Sequence, residues 1–194
     1  MEDVCGIILA AGESRRMGRN KMLLPFGDKL IVTSVIDKVR ESGIKIIMLV
    51  LGAYSEEILK AVEGRDLNPV INNDYKKGML SSVQCGFRNI PEDCGAVMVF
   101  LGDQPMVSAD VARMLISEYK KSGRGIIIPV YNGRRGHPVL IDIKYREDIY
   151  GLNQGIGLRE LMDRFPDDIE ECNVKNQDIL KDIDTLKDYF QAIN

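Results

Sequence analysis

Short apolar runs alternate with amphipathic stretches through the first two thirds of this chain, and that alternation limits the fold more than any other feature. Residues 4–10 read as a buried strand, and 30–41 as a helix with Ile31, Val35, Ile36 and Val39 on one face. Gly43 ends that helix, and the β-branched run 44–51 suits a strand buried on both faces. A helix over 55–62 carries Glu56 and Glu57 in its first turn, where the helix dipole favours acids. A short strand at 69–71, a helix at 81–89 and a buried strand at 96–101 follow. Ser108 then suits the N-cap of a helix with Val111, Met114 and Leu115 on one face, and 125–130 is again a strand. Such strand–helix alternations demand right-handed crossovers, which predict an α/β fold: a Rossmann-like three-layer α/β/α sandwich around a mostly parallel sheet.

After residue 130 the pattern changes. Turn-rich segments at 131–134 and 136–138 precede a return strand at 139–141. A helix at 158–165, a strand at 169–174 and a C-terminal helix at 185–193 complete the reading, with strand direction mixed in this part. No linker or repeat interrupts the 194 residues, so a single domain spanning 1–194 is expected. The net charge of −3 speaks against a nucleic-acid binder. No apolar stretch approaches the ~20 residues that span a bilayer, and the acidic start Met-Glu-Asp lacks a signal peptide's basic segment. The four cysteines are scattered without a C-x-x-C pair, so free thiols in a reducing cytoplasm are expected.

In an open parallel sheet, ligands bind beyond the C-terminal strand ends. Two polar segments fall there. The first follows the opening strand and holds Gly12, Ser14, Arg15, Arg16, Gly18, Arg19 and Lys21. Glycines leave backbone N–H groups open beside fixed cations, which is what a polyphosphate needs. The loop is neither a Walker A motif nor G-x-G-x-x-G, and a generic glycine turn is the alternative. Against that alternative, four clustered cations repel one another unless acids or an anion sit between them. The second segment is Asp103, directly after an apolar strand. A carboxylate there needs a hydrogen bond, an ion partner or a cation; a turn or capping aspartate is its simpler reading. Phosphates beside a carboxylate imply Mg²⁺, which takes one or two carboxylates plus substrate oxygens.

With these residues in hand, a resemblance emerges. Leu9-Ala10-Ala11-Gly12-x-Ser14-x-Arg16-Met17-Gly18-x-x-Lys21, Gly102-Asp103-Gln104-Pro105, Gly136-His137-Pro138-Val139 and Ile183-Asp184-Thr185 together resemble the molybdenum cofactor nucleotidyltransferases, most closely their cytidylyltransferase branch. The resemblance implies transfer of CMP from CTP to the terminal phosphate of molybdopterin or the molybdenum cofactor, with Mg²⁺ and release of pyrophosphate. A recipient molybdoenzyme is a further implied partner, and the molecule divides into a nucleotide-binding part, 1–130, and an acceptor-binding part, 131–194. Residue by residue, the resemblance implies that Leu9, Ala10, Ala11 and Gly12 lie along the nucleotide. Ser14, Arg15 and Arg16 hold the β- and γ-phosphates, aided by Gly18, and Lys21 bridges to the α-phosphate. Asp103 is the principal Mg²⁺ ligand. Asp184 is a second candidate, although Leu186 stands where the family has proline, and Asp182 is its neighbouring rival. Asn72, Asn73, Gly78, Ser81 and Ser82 are candidates to read the base, with ordinary turn and cap roles as their alternative. His137, beside Arg134 and Arg135, suits an anionic acceptor, and Gly155-x-Gly157-x-Arg159 is a further glycine–arginine set for it.

The chemistry so implied is in-line attack by a phosphate oxygen on the α-phosphorus. It needs no general base, which agrees with a single histidine in the chain. Ala11 favours CTP, because the guanylyltransferase branch usually has glycine at that position and a methyl group limits how closely a purine approaches. Met17, Met22, Met79 and Met106 are core fillers or pliable contacts for a pterin. Two other classes of function fit the same residues: a transferase for guanylyl, sugar-phosphate or alcohol-phosphate substrates, and a non-catalytic cofactor-insertion chaperone.

Overall fold

The computed structural model describes residues 3–193. In chain order it contains β1 (Asp3–Ala10), β2 (Pro25–Phe26), β3 (Lys29–Leu30), α1 (Ile31–Glu41), β4 (Ile47–Leu51), α2 (Ser55–Ala61), β5 (Asn68–Ile71), α3 (Met79–Asn89) and β6 (Cys94–Leu101). There follow α4 (Ala109–Ser122), β7 (Ile126–Tyr131), β8 (Arg134–Arg135), β9 (Val139–Asp142), α5 (Arg146–Tyr150), α6 (Arg159–Arg164), β10 (Ile169–Asn173) and α7 (Leu186–Ile193). The main sheet runs β10-β7-β9-β6-β1-β4-β5, with β8 paired to β7. β9 is antiparallel to both β6 and β7, and β8 is antiparallel to β7, whereas β10 returns parallel to β7. The mixed direction expected after residue 130 therefore lies in two strands.

Alternation of side chains across the strands builds two cores. Ile8 and Ala10 of β1 join Ile31, Val35, Ile36 and Val39 of α1 and Ala112 and Leu115 of α4 on one face. Ile7 and Leu9 join Leu80, Val83 and Phe87 of α3, Ile149 of α5 and Leu161 of α6 on the other. This is the three-layer sandwich expected from the pattern. All five residues of β4 are buried, as its unbroken apolar run requires. That strand starts later than the run does. Ile44 is spent on the core instead, since its side chain and Val39 fill the space above Gly6. Ser108 occupies the N-cap of α4 without a side-chain bond, and Gly123 closes the helix in the left-handed conformation at φ 68°.

Cys5 and Cys94 are paired as a disulfide between the neighbouring strands β1 and β6, with Cα atoms 6.2 Å apart. This corrects the expectation of free thiols for those two; Cys85 and Cys172 remain free. Sequence spacing carried no trace of the pair, because it is sheet register that brings positions 89 residues apart together. Among the described residues no helix is long and apolar enough to cross a membrane.

Candidate active site

The strand order reverses at β1: the chain runs outward through β4 and β5, then returns to β6 on the other side. A crevice forms at such a switch point, beyond the carboxyl ends of the strands. Here it is a cleft of about 610 Å³. Its walls come from the loop after β1, the loop after β6, the start of α3 and the segment before α7. Gly102 makes the β1 and β6 loops meet. Its N–H donates to the Leu9 carbonyl at 2.9 Å, and a Cβ on it would lie 2.8 Å from that oxygen. No larger residue fits there without moving backbone.

Lys21 is the centre of the site. Its side chain is 9% exposed and its ammonium donates to Asp103 Oδ2 and, at 2.9 Å, to Asp184 Oδ1. Burial works against the charged lysine, but Asp103 and then Asp184 more than offset it, and its pKa is raised. Asp184 experiences the converse: burial disfavours its charge, while Lys21 and then Arg16 hold its pKa below the ordinary carboxylate value. Arg16 reaches Asp184 Oδ2 at 2.7 Å. Two local devices aim Asp184. The Ile183 N–H donates to the Asp103 carbonyl at 3.0 Å. Thr185 and Asp188 then form a reciprocal cap on α7, with Asp188 Oδ2 accepting from Thr185 N (2.8 Å) and Thr185 Oγ1 accepting from Asp188 N (3.2 Å). Asp182 also lines the cleft. It accepts from Gln104 Nε2 at 2.6 Å, and burial followed by the charge of Asp103 pushes its pKa up.

The loop after β1 meets the cleft through Leu9, Ala11, Gly12, Ser14, Arg15 and Arg16. Ser14 is left-handed at φ 51° and its Oγ accepts from the Lys21 N–H at 3.2 Å, which folds the loop back on itself. Arg15 is paired with Glu13 at 2.7 Å. Gly12 has no atom within 4 Å of a would-be Cβ, so its open side belongs to the cleft. Ala10 points into the core, and Gly18 lines an adjoining cavity of about 410 Å³ rather than the cleft itself.

On the opposite wall stand Gly78 and Ser82, with Tyr75, Lys76 and Met79. Asn72 is buried and holds this wall in shape: Nδ2 donates to Ser81 Oγ (2.9 Å) and Ser82 Oγ (3.0 Å), and Oδ1 accepts from Asp74 N (2.9 Å). Asn73 is exposed and stands off the wall. His137, Arg135 and Arg159 are likewise absent from the cleft wall. The His137 N–H donates to the Ile179 carbonyl at 3.1 Å, and burial lowers its pKa against the pull of Asp103, so the imidazole is neutral at pH 7. Arg135 pairs with Glu171 at 2.7 Å on the surface, and Arg159 is exposed at the start of α6. Of the methionines, Met22 and Met79 reach the cleft, while Met17 and Met106 pack with the core. Tyr75 and Lys76 line the cleft without having been singled out by sequence, and Gly52 backs Tyr75; a glycine directly after the buried strand β4, at the same sheet edge as Gly102, was the available signal.

Among the described residues, no three His, Cys, Asp or Glu side chains are spaced to hold a metal by themselves. Asp103 and Asp184 converge on one ammonium, however, and two carboxylates are what Mg²⁺ takes when phosphates supply further oxygens. The residues present fit such an ion.

Residues 6–169 match the MobA-like NTP transferase domain. Nicotine blue oxidoreductase of Paenarthrobacter nicotinovorans is 28% identical over 205 residues, covering 98% of this chain and 96% of that protein. The molybdenum cofactor cytidylyltransferase of Escherichia coli (strain K12) is 29% identical over 188 residues, covering 96% of this chain and 93% of its own. The crystal structure of the Rv0371c homologue from Mycobacterium sp. strain JC1 superposes with a TM-score of 0.87 at 28% identity, over 98% of this chain and 94% of the other.

Proposed function

The chain belongs to the MobA-like NTP transferase family, and from that premise we propose that it transfers CMP from CTP to the terminal phosphate of molybdopterin or the molybdenum cofactor. Pyrophosphate is the other product. The observation that carries this reading is the meeting of Lys21 with Asp103 and Asp184 beneath an arginine-bearing loop, at the switch point of a parallel sheet. Arg15, Arg16, Ser14 and the loop backbone take the β- and γ-phosphates. Lys21 neutralises the α-phosphate as the acceptor oxygen attacks in line. Bringing two anions together is the main barrier, so positioning and charge compensation supply the acceleration. Asp103 and Asp184 would hold Mg²⁺, and the ion would supply further charge neutralisation of the triphosphate. The attacking phosphate is already ionised near neutral pH, so a neutral His137 is no obstacle.

Gly78 and Ser82 are assigned to the nucleoside, with Asn73 at its outer edge. His137, Arg135 and Arg159 are assigned to the acceptor, reached beyond the cleft wall. Ala11, nearly buried at the wall, supports CTP over GTP. Residues 1–130 serve chiefly the nucleotide and 131–194 the acceptor, with Asp184 crossing that division. The reaction is assigned to the cytoplasm, with the product passed on to a molybdoenzyme.

The test is Asp103→Ala assayed with molybdopterin and CTP, GTP or ATP. Pyrophosphate release is expected to fall by ~10²-fold or more, about 2.7 kcal/mol of barrier, while CTP binding falls modestly. Unchanged release removes Asp103 from the reaction, and GTP preferred over CTP overturns the choice of nucleotide. Because one relative is an oxidoreductase, consumption of a reduced nicotinamide is the counter-assay, and turnover there without pyrophosphate release overturns the transfer reading altogether. A wild-type chain that binds CTP but releases no pyrophosphate is the outcome expected of a cofactor chaperone.

A further inference from the structure

The wall opposite the cationic loop contains one aromatic ring, and it is held with more care than a surface loop requires. Tyr75 lies against Gly52, the residue after β4. A Cβ on Gly52 would stand 2.8 Å from Tyr75 Cγ and 2.6 Å from the Ala11 carbonyl oxygen. Glycine at 52 is thus what lets the ring settle onto the backbone beside Ala11. The loop that carries Tyr75 is fixed at both ends. Asn72 bonds Ser81 and Ser82, and Ser81 Oγ donates to the carbonyls of Asp74 (3.0 Å) and Gly78 (2.8 Å). Tyr75 lines the cleft and also the smaller cavity behind the cationic loop, so it stands at the boundary between them. Lys76 Nζ is 5.8 Å from the ring centroid, on an exposed side chain that swings aside at little cost.

Arginines and Lys21 fix the charged end of a ligand on the other wall, and a rigid aromatic ring across the same cleft meets whatever planar group the ligand carries. We propose that Tyr75, seated on Gly52, is the surface against which the nucleobase packs, and that it supplies affinity for the nucleoside end of the ligand. This rests on the nucleotide-transfer reading above. Stacking on an aromatic ring serves any base in sequence-tolerant fashion, so Tyr75 contributes affinity for the nucleoside end while Ala11 limits its size.

The experiment compares two ligands by calorimetry in the presence of Mg²⁺: CTP, and inorganic tripolyphosphate, which has the charge but no base. Tyr75→Leu keeps apolar bulk without the ring, and Tyr75→Phe keeps the ring. For Tyr75→Leu, CTP affinity is expected to fall by about tenfold, with tripolyphosphate affinity unchanged; Tyr75→Phe retains both. Equal loss for both ligands means that Tyr75 acts only by holding its loop, and overturns the proposal, as does CTP affinity unchanged in Tyr75→Leu. A wild-type protein that binds neither ligand overturns the nucleotide reading itself, an outcome separate from the other two.

Discussion

Replacing Lys21 by methionine perturbs the site in three ways whose signs differ. The ammonium sits between Asp103 and Asp184, whose side chains are 17% and 27% exposed. Removing one partner of a fully buried pair costs about 3–5 kcal/mol. Both aspartates keep contact with water and Asp184 keeps Arg16, so a loss of about 2 kcal/mol in unfolding free energy is expected near neutral pH, read by urea titration. Catalysis moves the same way: pyrophosphate release falls by ~10²-fold or more, because the charge meant for the α-phosphate is gone. Affinity for a divalent cation without nucleotide moves the opposite way. Two carboxylates freed of their internal cation attract an external one more strongly, and Mn²⁺ binding followed by EPR should tighten by about tenfold, or 1.4 kcal/mol. Saturating Mg²⁺ should therefore restore part of the lost stability in Lys21→Met and add less to the wild type. Mn²⁺ binding that is unchanged or weaker in the variant would falsify the claim that Lys21 occupies the cation position between the two aspartates.

Gly12→Ala separates folding from binding. Its φ is not positive and nothing lies within 4 Å of the added methyl, so unfolding free energy should stay within about 0.5 kcal/mol of wild type. CTP affinity should fall by about tenfold as the methyl enters the cleft, and an unaltered affinity places the nucleotide elsewhere. Acid stability should depend on Asp168, where burial opposes the charge but Lys144 and the Tyr145 hydroxyl hold the pKa below its usual value. A carboxylate depressed in the fold stabilises above its unfolded pKa, near 3.8, and that contribution is lost as pH falls through the folded value. Asp168→Asn should accordingly destabilise at pH 6 and flatten the loss of stability below pH 4; equal acid slopes in variant and wild type refute the assignment.

Local pattern made the long buried strands β1, β4, β6 and β7 and most helices legible, because burial on both sheet faces leaves an apolar run too long to mistake, while β8 lay in what read as a turn. It failed where structure depends on what arrives from elsewhere. Short α5 and the β2–β3 hairpin have no periodicity to detect, and the run 44–51 gives Ile44 to the core under Gly6 rather than to β4. The cationic loop was visible because glycines and arginines crowd into a dozen positions. Asp184 was visible only through a motif, since it joins Lys21 across 163 residues and its aim comes from the Thr185–Asp188 cap. Tyr75 had no motif of its own.

The repulsion among clustered cations that first suggested an anion has an internal answer in the fold, and that answer is uneven. Arg15 and Arg16 are paired with Glu13 and Asp184 through side chains 78% and 68% exposed, and such ion pairs contribute little. They give up their acids readily to a triphosphate. Lys21 is different, being enclosed and bound to two carboxylates at once. The loop therefore combines two exchangeable clamps with one fixed charge. Arg16 and Lys21 already share the two oxygens of Asp184, so one phosphate can bridge that pair, and a longer polyphosphate is needed to engage Arg15 as well. On the proposed nucleotide-transfer reading, the order of positions along the loop, arginines first and lysine last, would lay the terminal phosphates under Arg15 and Arg16 and the reacting phosphate against Lys21.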